Sequence, residues 1–168
     1  MTIRIRTESA ADAAAIEAVT QAAFLNAPHT GHTEHFIVNG LRRAGFLAIS
    51  LVADAGGSVI GHVAVSPVSI SDGAIGWFGL GPISVVPGQQ GRGVGSGLMR
   101  EALRMLRERG AAGCVLLGDA EYYGRFGFEA DPDLVLQGAP PEYFLSISFD
   151  SSRPRGTVSY HEAFNARE

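Results

Sequence analysis

The sequence contains a single cysteine, Cys114, so it cannot form an intramolecular disulfide. Chains with so few cysteines are typical of reducing compartments. The sequence also lacks any run of about 18–20 uncharged apolar residues, the length that a membrane-spanning helix needs. Its first twelve residues, MTIRIRTESAAD, lack the apolar core of a signal peptide. These absences predict a cytoplasmic protein with no membrane partner.

Basic residues are also few. Lys and Arg number 13 against 17 Asp and Glu, which gives a net charge of −4 and a pI near 5.7. Binding to nucleic acid calls for a basic surface, so this balance argues against a nucleic-acid partner. With 46% hydrophobic and 18% charged residues in a chain of 168, the composition predicts one globular domain spanning 1–168.

The most informative stretch alternates glycine with other residues. An apolar run at 80–86 predicts a strand, and four glycines then occupy every second position of 91–97. From Val94 the apolar residues recur at helical spacing, and Gly110 is a natural helix stop. A second apolar run, 111–117, predicts another strand. The resulting order is strand, glycine loop, helix, strand.

This loop has the properties of an anion-binding site. A helix N-terminus leaves about four N–H groups unpaired, and glycine lets a ligand approach the backbone closely. No Lys-Ser or Lys-Thr pair follows the last glycine, which excludes a Walker loop. The dinucleotide fingerprint fits poorly, because Leu98 stands where its third glycine belongs. Asp119 could still act as the ribose-binding acid of that fingerprint, so a nucleotide-binding oxidoreductase stays open as an alternative.

The segments before the loop predict antiparallel strands. Residues 46–54 and 59–70 are apolar and flank an Ala-Gly-Gly turn at 55–57, which indicates a hairpin. Pro67 suggests an edge position or a bulge. Antiparallel strands in this place argue against a dinucleotide-binding domain, which alternates strands and helices from its start.

Two motifs together resemble a known family. Gln90-x-x-Gly93-x-Gly95 is similar to the signature of the GNAT superfamily of N-acetyltransferases. Tyr123, four residues before a Gly-Phe pair, is similar to that family's second hallmark. Leu-Gly-Pro at 80–82 and Gly-Asp-x-x-Tyr-Tyr-x-Arg-Phe-Gly-Phe at 118–128 resemble a little-characterised bacterial branch of the superfamily.

The resemblance implies an α+β fold, an α/β sandwich with a mixed central sheet of about six to seven strands flanked by about four helices. It implies acetyl-CoA as co-substrate, no metal, and Tyr123 as the general acid for the leaving thiolate. Strand backbone would hold the pantetheine arm, loop N–H groups would bind the pyrophosphate, and the side chain at 90 would brace the loop. The implied cofactor-binding residues are Ile83, Ser84, Val85, Gln90, Gly91, Arg92, Gly93, Val94, Gly95 and Ser96. The family's pantetheine-binding asparagine is missing near Asp119, so that contact stays open. Homodimers are common in the superfamily, and a homodimer is expected here too.

Four further side chains invite a functional interpretation. His29, His32 and His35 recur at a spacing of three, which could form a zinc site. His29 precedes a glycine and is placed outside the helix predicted from Thr33, so we expect no metal. In the family, the segment that contains Glu34 borders the acceptor pocket. Glu34 could therefore bind or deprotonate an amine, or it could simply favour the helix dipole.

The acceptor amine must be neutral to attack. A lysine side chain with a pKa near 10.4 is uncharged about once in two thousand at pH 7, whereas an α-amine near 7.8 is much less restricted. The strand at 80–86 contains no Asp, Glu or His, and His62 could be a core histidine or a base. This favours a small-molecule or an α-amino acceptor over a lysine side chain, so the expected partner is a small-molecule or peptide amine. A catalytically weak acyl-CoA-binding or sensing module on the same fold is the alternative function.

Overall fold

The structure is a computed structural model that describes residues 2–27 and 30–167. This part of the chain forms four α-helices and ten strands, joined by short 3₁₀ turns. The helices are α1 (Ala13–Phe24), α2 (Glu34–Ala44), α3 (Val94–Glu108) and the single-turn α4 (Ala120–Tyr123). The strands are β1 (Ile3–Thr7), β2 (Ile49–Ala55), β3 (Ser58–Pro67), β4 (Ser69–Ile70), β5 (Trp77–Val85), β6 (Gly113–Leu117), β7 (Glu129–Ala130), β8 (Leu134–Val135), β9 (Phe144–Ser148) and β10 (Gly156–Ser159).

Seven strands form a mixed central sheet in the order β1-β2-β3-β5-β6-β9-β7. The β5–β6 pair is parallel, and the other neighbours in this sheet are antiparallel. The predicted α+β fold, with its mixed sheet and four helices, is therefore confirmed. The hairpin turn predicted between β2 and β3 is also present, with Gly56 and Gly57 both at positive φ.

Helices cover the two faces of this sheet. On one face, Leu98 and Leu106 of α3 are fully buried against Leu51 and Val63 of the sheet. This is the apolar stripe that the helical spacing from Val94 predicted. On the other face, α1 and α2 cover a second cluster that includes Val52. The alternation of β2 between the two faces explains why its sequence is apolar almost throughout.

The division of one apolar run into two strands was not predicted from the sequence. The apolar run at 59–70 is not one strand, because it divides at Val68 into β3 and β4. β4 leaves the central sheet and joins β10 and β8 in a separate three-stranded sheet. Pro67 is the last residue of β3, where a missing N–H donor is tolerated.

None of the helices in the described part of the chain combines the length and the apolarity that crossing a bilayer requires.

Candidate active site

The two central parallel strands separate halfway along their length. β5 pairs with β6 only at Trp77–Gly79, and its remaining residues continue beside β3 alone. The register between β3 and β5 gains one residue on β5 between Leu80 and Ile83, which marks a β-bulge around Gly81. Bulges bend a strand away from its neighbour, so the sheet opens into a wedge at this point.

Hydrogen-bond alternation determines which backbone groups of β5 face the wedge. Val86 donates to the carbonyl oxygen of Ile60 at 2.9 Å. Hydrogen-bonded pairs alternate along an antiparallel ladder, so the next hydrogen-bonded pair between β5 and β3 is Ser84 with His62. The main-chain groups of Ile83 and Val85 therefore point away from β3. This differs from the prediction that all three residues offer backbone contacts, because the N–H and C=O of Ser84 face β3.

The glycine loop presents a row of main-chain donors next to this wedge. Gly91 and Gly93 have φ values of 79° and 83°, a left-handed conformation that glycine adopts without strain. Gly93 is the N-cap of α3. Among the described residues, none accepts a hydrogen bond from the N–H groups at 91–96. The Gln90 side chain donates to the carbonyl oxygen of Val85 at 2.9 Å and ties the loop to β5.

Tyr122 links the start of α3 to α4. Its hydroxyl lies 3.1 Å from the Ser96 hydroxyl. A Cβ placed on Gly95 would lie 3.8 Å from a Val85 methyl and 3.9 Å from the Tyr122 hydroxyl. Strand β5, the glycine loop and the Tyr-Tyr segment predicted from the sequence therefore converge on one place.

Tyr123 lies in a cleft of about 660 Å³ beside Ile83, at the opening between the strands. Burial raises the pKa of its phenol, with a smaller contribution from Tyr122. The phenol is therefore protonated at neutral pH and is available as a donor. A Cβ on Gly118 would lie 2.3 Å from the Tyr123 ring, so only glycine allows this ring position.

Several residues of this cleft were missed by sequence reasoning. They are contributed by α1, by the segment after β8 and by the C-terminal segment after β10. They are Phe24, Leu136, Gln137, Tyr160, His161 and Phe164. The rings of Tyr160 and Phe164 form an edge-to-face pair with their centroids 4.7 Å apart. Their spacing of four residues in the sequence could have indicated that these two aromatic side chains lie together.

Glu34 lies at the start of α2 and also lines the cleft. Its Oε2 accepts a hydrogen bond from the Thr30 hydroxyl, and its Oε1 is buried without a partner among the described residues. His29 lies outside the described residues, while His32 is exposed and His35 is buried. In the part of the chain that the structure describes, no group of three or more His, Cys, Asp or Glu side chains could hold a metal ion.

His62 is fully buried on the face of the sheet covered by α1 and α2. Its Nε2 lies 2.7 Å from the Ser50 hydroxyl, which in turn donates to Glu8. Arg42 donates to both carboxylate oxygens of Glu8, at 2.8 and 3.1 Å. Burial lowers the pKa of His62 to about 4, opposed by Glu8 and reinforced by Arg42. The imidazole is therefore neutral at pH 7, and it does not line the cleft described above.

Three arginines, Arg92, Arg100 and Arg104, lie in or shortly after the glycine loop. Arg104 is ion-paired with Glu101 and Glu108, at 2.5 Å in each case, so its charge is already neutralised. The Arg100 guanidinium lies 5.5 Å from the centre of the Phe126 ring. Arg92 is exposed within the glycine loop, and its position favours it as a contact for an anion.

Comparisons with known proteins relate this geometry to a family. Residues 4–130 match the family model described as an acetyltransferase (GNAT) domain. The chain is 38% identical over 168 residues to the uncharacterized N-acetyltransferase YhbS of Escherichia coli K12, covering 96% of this chain and 98% of that protein. It is 47% identical to a solved GNAT family acetyltransferase from Brucella melitensis in complex with acetyl-CoA, with a TM-score of 0.87 and coverage of 97% and 98%. The solved E. coli YhbS in complex with CoA is 35% identical, with a TM-score of 0.89 and coverage of 99% and 93%.

Proposed function

The chain belongs to the acetyltransferase (GNAT) domain family, and we propose that it moves an acetyl group from acetyl-CoA to an amine, either a small-molecule amine or the α-amino group of a peptide. It is an acyltransferase, and acetyl-CoA is its acyl donor. One observation carries the proposal: unpaired loop N–H groups, outward-facing groups of β5 and the phenol of Tyr123 surround a single wedge in the sheet. Membership of this family argues against the alternative function, a nicotinamide-dependent oxidoreductase.

The loop supplies the site for the anionic part of the donor. The N–H groups at 91–96 and the positive end of the α3 dipole favour a pyrophosphate. Gln90 keeps this loop against β5, and the side chain of Arg92 adds the local positive charge. The outward-facing groups of Ile83 and Val85 suit strand-like pairing with the pantetheine arm, and they direct the thioester into the wedge.

The reaction then needs three proton and bond changes. The neutral amine forms a bond to the thioester carbonyl carbon, and the oxyanion that develops accepts from an N–H on β5. The C–S bond breaks, and the departing sulfur receives a hydrogen bond from the Tyr123 phenol. The amine releases its extra proton to water.

Tyr123 acts mainly as a hydrogen-bond donor to sulfur. Full transfer from a phenol with a pKa near 10 to a thiolate near 8.5 is uphill by roughly 2 kcal/mol. Burial raises the pKa of Tyr123 further, which makes complete transfer less favourable still. A charge-assisted hydrogen bond that strengthens as the thiolate forms lowers the barrier without that transfer.

The test is an acetyl-CoA-dependent thiol-release screen over amines, antibiotics, amino acids and peptides, followed by Tyr123→Phe. We expect this variant to lose roughly 10- to 100-fold in kcat, with CoA affinity measured by calorimetry unchanged. Tyr143→Phe is the matched control, since Tyr143 is half-exposed and does not line the cleft. CoA binding without transfer to any acceptor would favour the acyl-CoA-binding module. An unchanged kcat in Tyr123→Phe would remove Tyr123 from the mechanism.

Three properties remain predictions: the single domain over 1–168, the cytoplasmic location and the homodimer. Size-exclusion chromatography with light scattering measures the last of these directly.

A further inference from the structure

The cleft beside Tyr123 has an unusual charge distribution. Among the described residues that line it, Glu34 alone is an Asp, Glu, Lys or Arg. Burial raises the pKa of the Tyr160 phenol, so that side chain stays neutral. Glu34 is therefore the one carboxylate in the described lining, and no lysine or arginine there can pair with an acidic ligand.

Within the described chain, only one of the two Glu34 carboxylate oxygens receives a hydrogen bond. Thr30 donates to Oε2, whereas Oε1 is buried with no donor among the described residues. A charged hydrogen-bond donor strongly stabilises a buried carboxylate oxygen. Because Glu34 lines the cleft, a small shift of its side chain would let an ammonium group in the cleft supply that donor.

Aromatic side chains surround the rest of the cleft. Phe24 comes from α1, and Tyr160 and Phe164 come from the C-terminal segment. Gly79 leaves room for the Tyr160 ring against β5, since a Cβ there would lie 2.6 Å from that ring. Aromatic faces bind flat apolar groups and attract cations. Leu80 and Leu136 extend this apolar surface.

His161 adds one polar group at the same boundary. Its Nδ1 accepts a hydrogen bond from the backbone N–H of Ala163 at 2.9 Å. An Nδ1 that accepts must be unprotonated, so the ring hydrogen is on Nε2. In this tautomer the Nε2–H of His161 is a hydrogen-bond donor.

We infer that the acceptor is a small primary arylalkylamine without a carboxylate: Glu34 binds its ammonium, which loses one proton to water before the nitrogen attacks, and its ring packs against Phe24, Tyr160 and Phe164. This inference rests on the proposed acetyltransferase function and specifies its acceptor. A free amino acid is disfavoured, since its carboxylate would face Glu34 with no cation to pair with. A diamine is disfavoured because its second charge would lie against aromatic and leucine side chains. A short alkylamine leaves the aromatic surface uncovered.

The experiment compares 2-phenylethylamine, phenylalanine, ethylamine and putrescine as acceptors for the full chain, with acetyl-CoA as donor. The first and second compounds differ by the carboxylate, and the first and third by the ring. We expect kcat/KM for 2-phenylethylamine to exceed each of the others by at least about 10-fold, the scale of one buried charged or aromatic contact. An equal or higher value for any of the other three overturns the inference.

The variant Glu34→Gln tests the ammonium contact separately. Glutamine keeps the shape and can still accept from Thr30, but it removes the charge. We expect KM for 2-phenylethylamine to rise about 10-fold or more while KM for acetyl-CoA stays within twofold. The ratio of kcat/KM for 2-phenylethylamine to kcat/KM for phenylalanine should fall at the same time. Glu142→Gln, at an exposed position outside the cleft, is the matched control.

Calorimetry on the CoA-loaded protein gives a second measurement that does not depend on turnover. Weaker binding of 2-phenylethylamine to Glu34→Gln than to the unmodified protein supports the inference, and equal binding overturns it.

Failure of this inference and failure of the proposed function give different results. If the broader screen finds an acetylated acceptor but 2-phenylethylamine is inert, the arylalkylamine assignment is wrong and the acetyltransferase function stands. If octanoyl-CoA is a better donor than acetyl-CoA and the amines do not differ, the apolar surface holds an acyl chain and the inference is again wrong. If CoA binds but no nucleophile is acetylated, both proposals fail.

Discussion

The position of Tyr123 depends on a glycine that carries no chemistry of its own. In the structure, a Cβ on Gly118 would lie 2.3 and 2.6 Å from two atoms of the Tyr123 ring. Carbon atoms not bonded to each other approach to about 3.4–3.6 Å. The substitution Gly118→Ala must therefore move the ring by about 1 Å or displace the backbone that carries it.

The conformation of the backbone does not itself forbid alanine. Gly118 is not among the residues with positive φ, and its N–H bond to the carbonyl oxygen of Tyr143, at 2.9 Å, is retained in an alanine variant. The perturbation is therefore steric and is directed at one side chain. A displacement of about 1 Å at a catalytic group can reduce turnover by about 100-fold.

The assay is acetyl-CoA-dependent thiol release, with kcat and both KM values measured for each variant. We expect Gly118→Ala to lose roughly 10- to 100-fold in kcat, while CoA affinity changes little because the glycine loop is untouched. Gly124→Ala is the matched control, since its φ is −58° and an added Cβ meets nothing within 4 Å. The double variant Gly118→Ala, Tyr123→Phe should be no slower than Tyr123→Phe alone.

A different outcome would refute this reasoning. If Gly118→Ala keeps a kcat within twofold of the unmodified protein while Tyr123→Phe is strongly impaired, the exact ring position does not matter. If the double variant loses activity additively, Gly118 acts through some other group.

Three further predictions concern stability and donor binding. Acidification from pH 7 to 5 should destabilise the fold by about 2 kcal/mol through His62. Its pKa near 4 lies below the ordinary 6.5, so the unfolded chain binds the proton more readily than the folded chain. In urea unfolding at both pH values, the free energy of unfolding of His62→Gln should depend less on pH than that of the unmodified protein. Gly113→Ala should lower the free energy of unfolding by about 1–3 kcal/mol, since its Cβ would lie 2.3 Å from the Trp77 ring, and Gly88→Ala, with open space around it, should have little effect in the same denaturation assay. Gly93→Ala should raise KM for acetyl-CoA about 5- to 30-fold, the equivalent of 1–2 kcal/mol for a left-handed residue with a side chain; an unchanged KM would argue that the loop does not hold the donor.

The sequence by itself determined the local elements. The period change at Val94, the glycines on either side of it and the stop at Gly110 define a strand, loop and helix without reference to distant residues. Local patterning also placed the hairpin between β2 and β3, whose turn has Gly56 and Gly57 at positive φ. These features follow from spacing and backbone preference over a few neighbouring residues.

Tertiary structure alone decided which distant residues share the cleft. Phe164 is far along the chain from Phe24 and Glu34, and it meets them only because α1, α2 and the C-terminal segment pack around the wedge between β5 and β6. The same is true of Gly118, whose requirement for glycine comes from the Tyr123 ring rather than from its own φ. Local sequence patterns report periods of two to four residues, whereas these contacts depend on how whole elements pack, and that packing is fixed only by the complete fold.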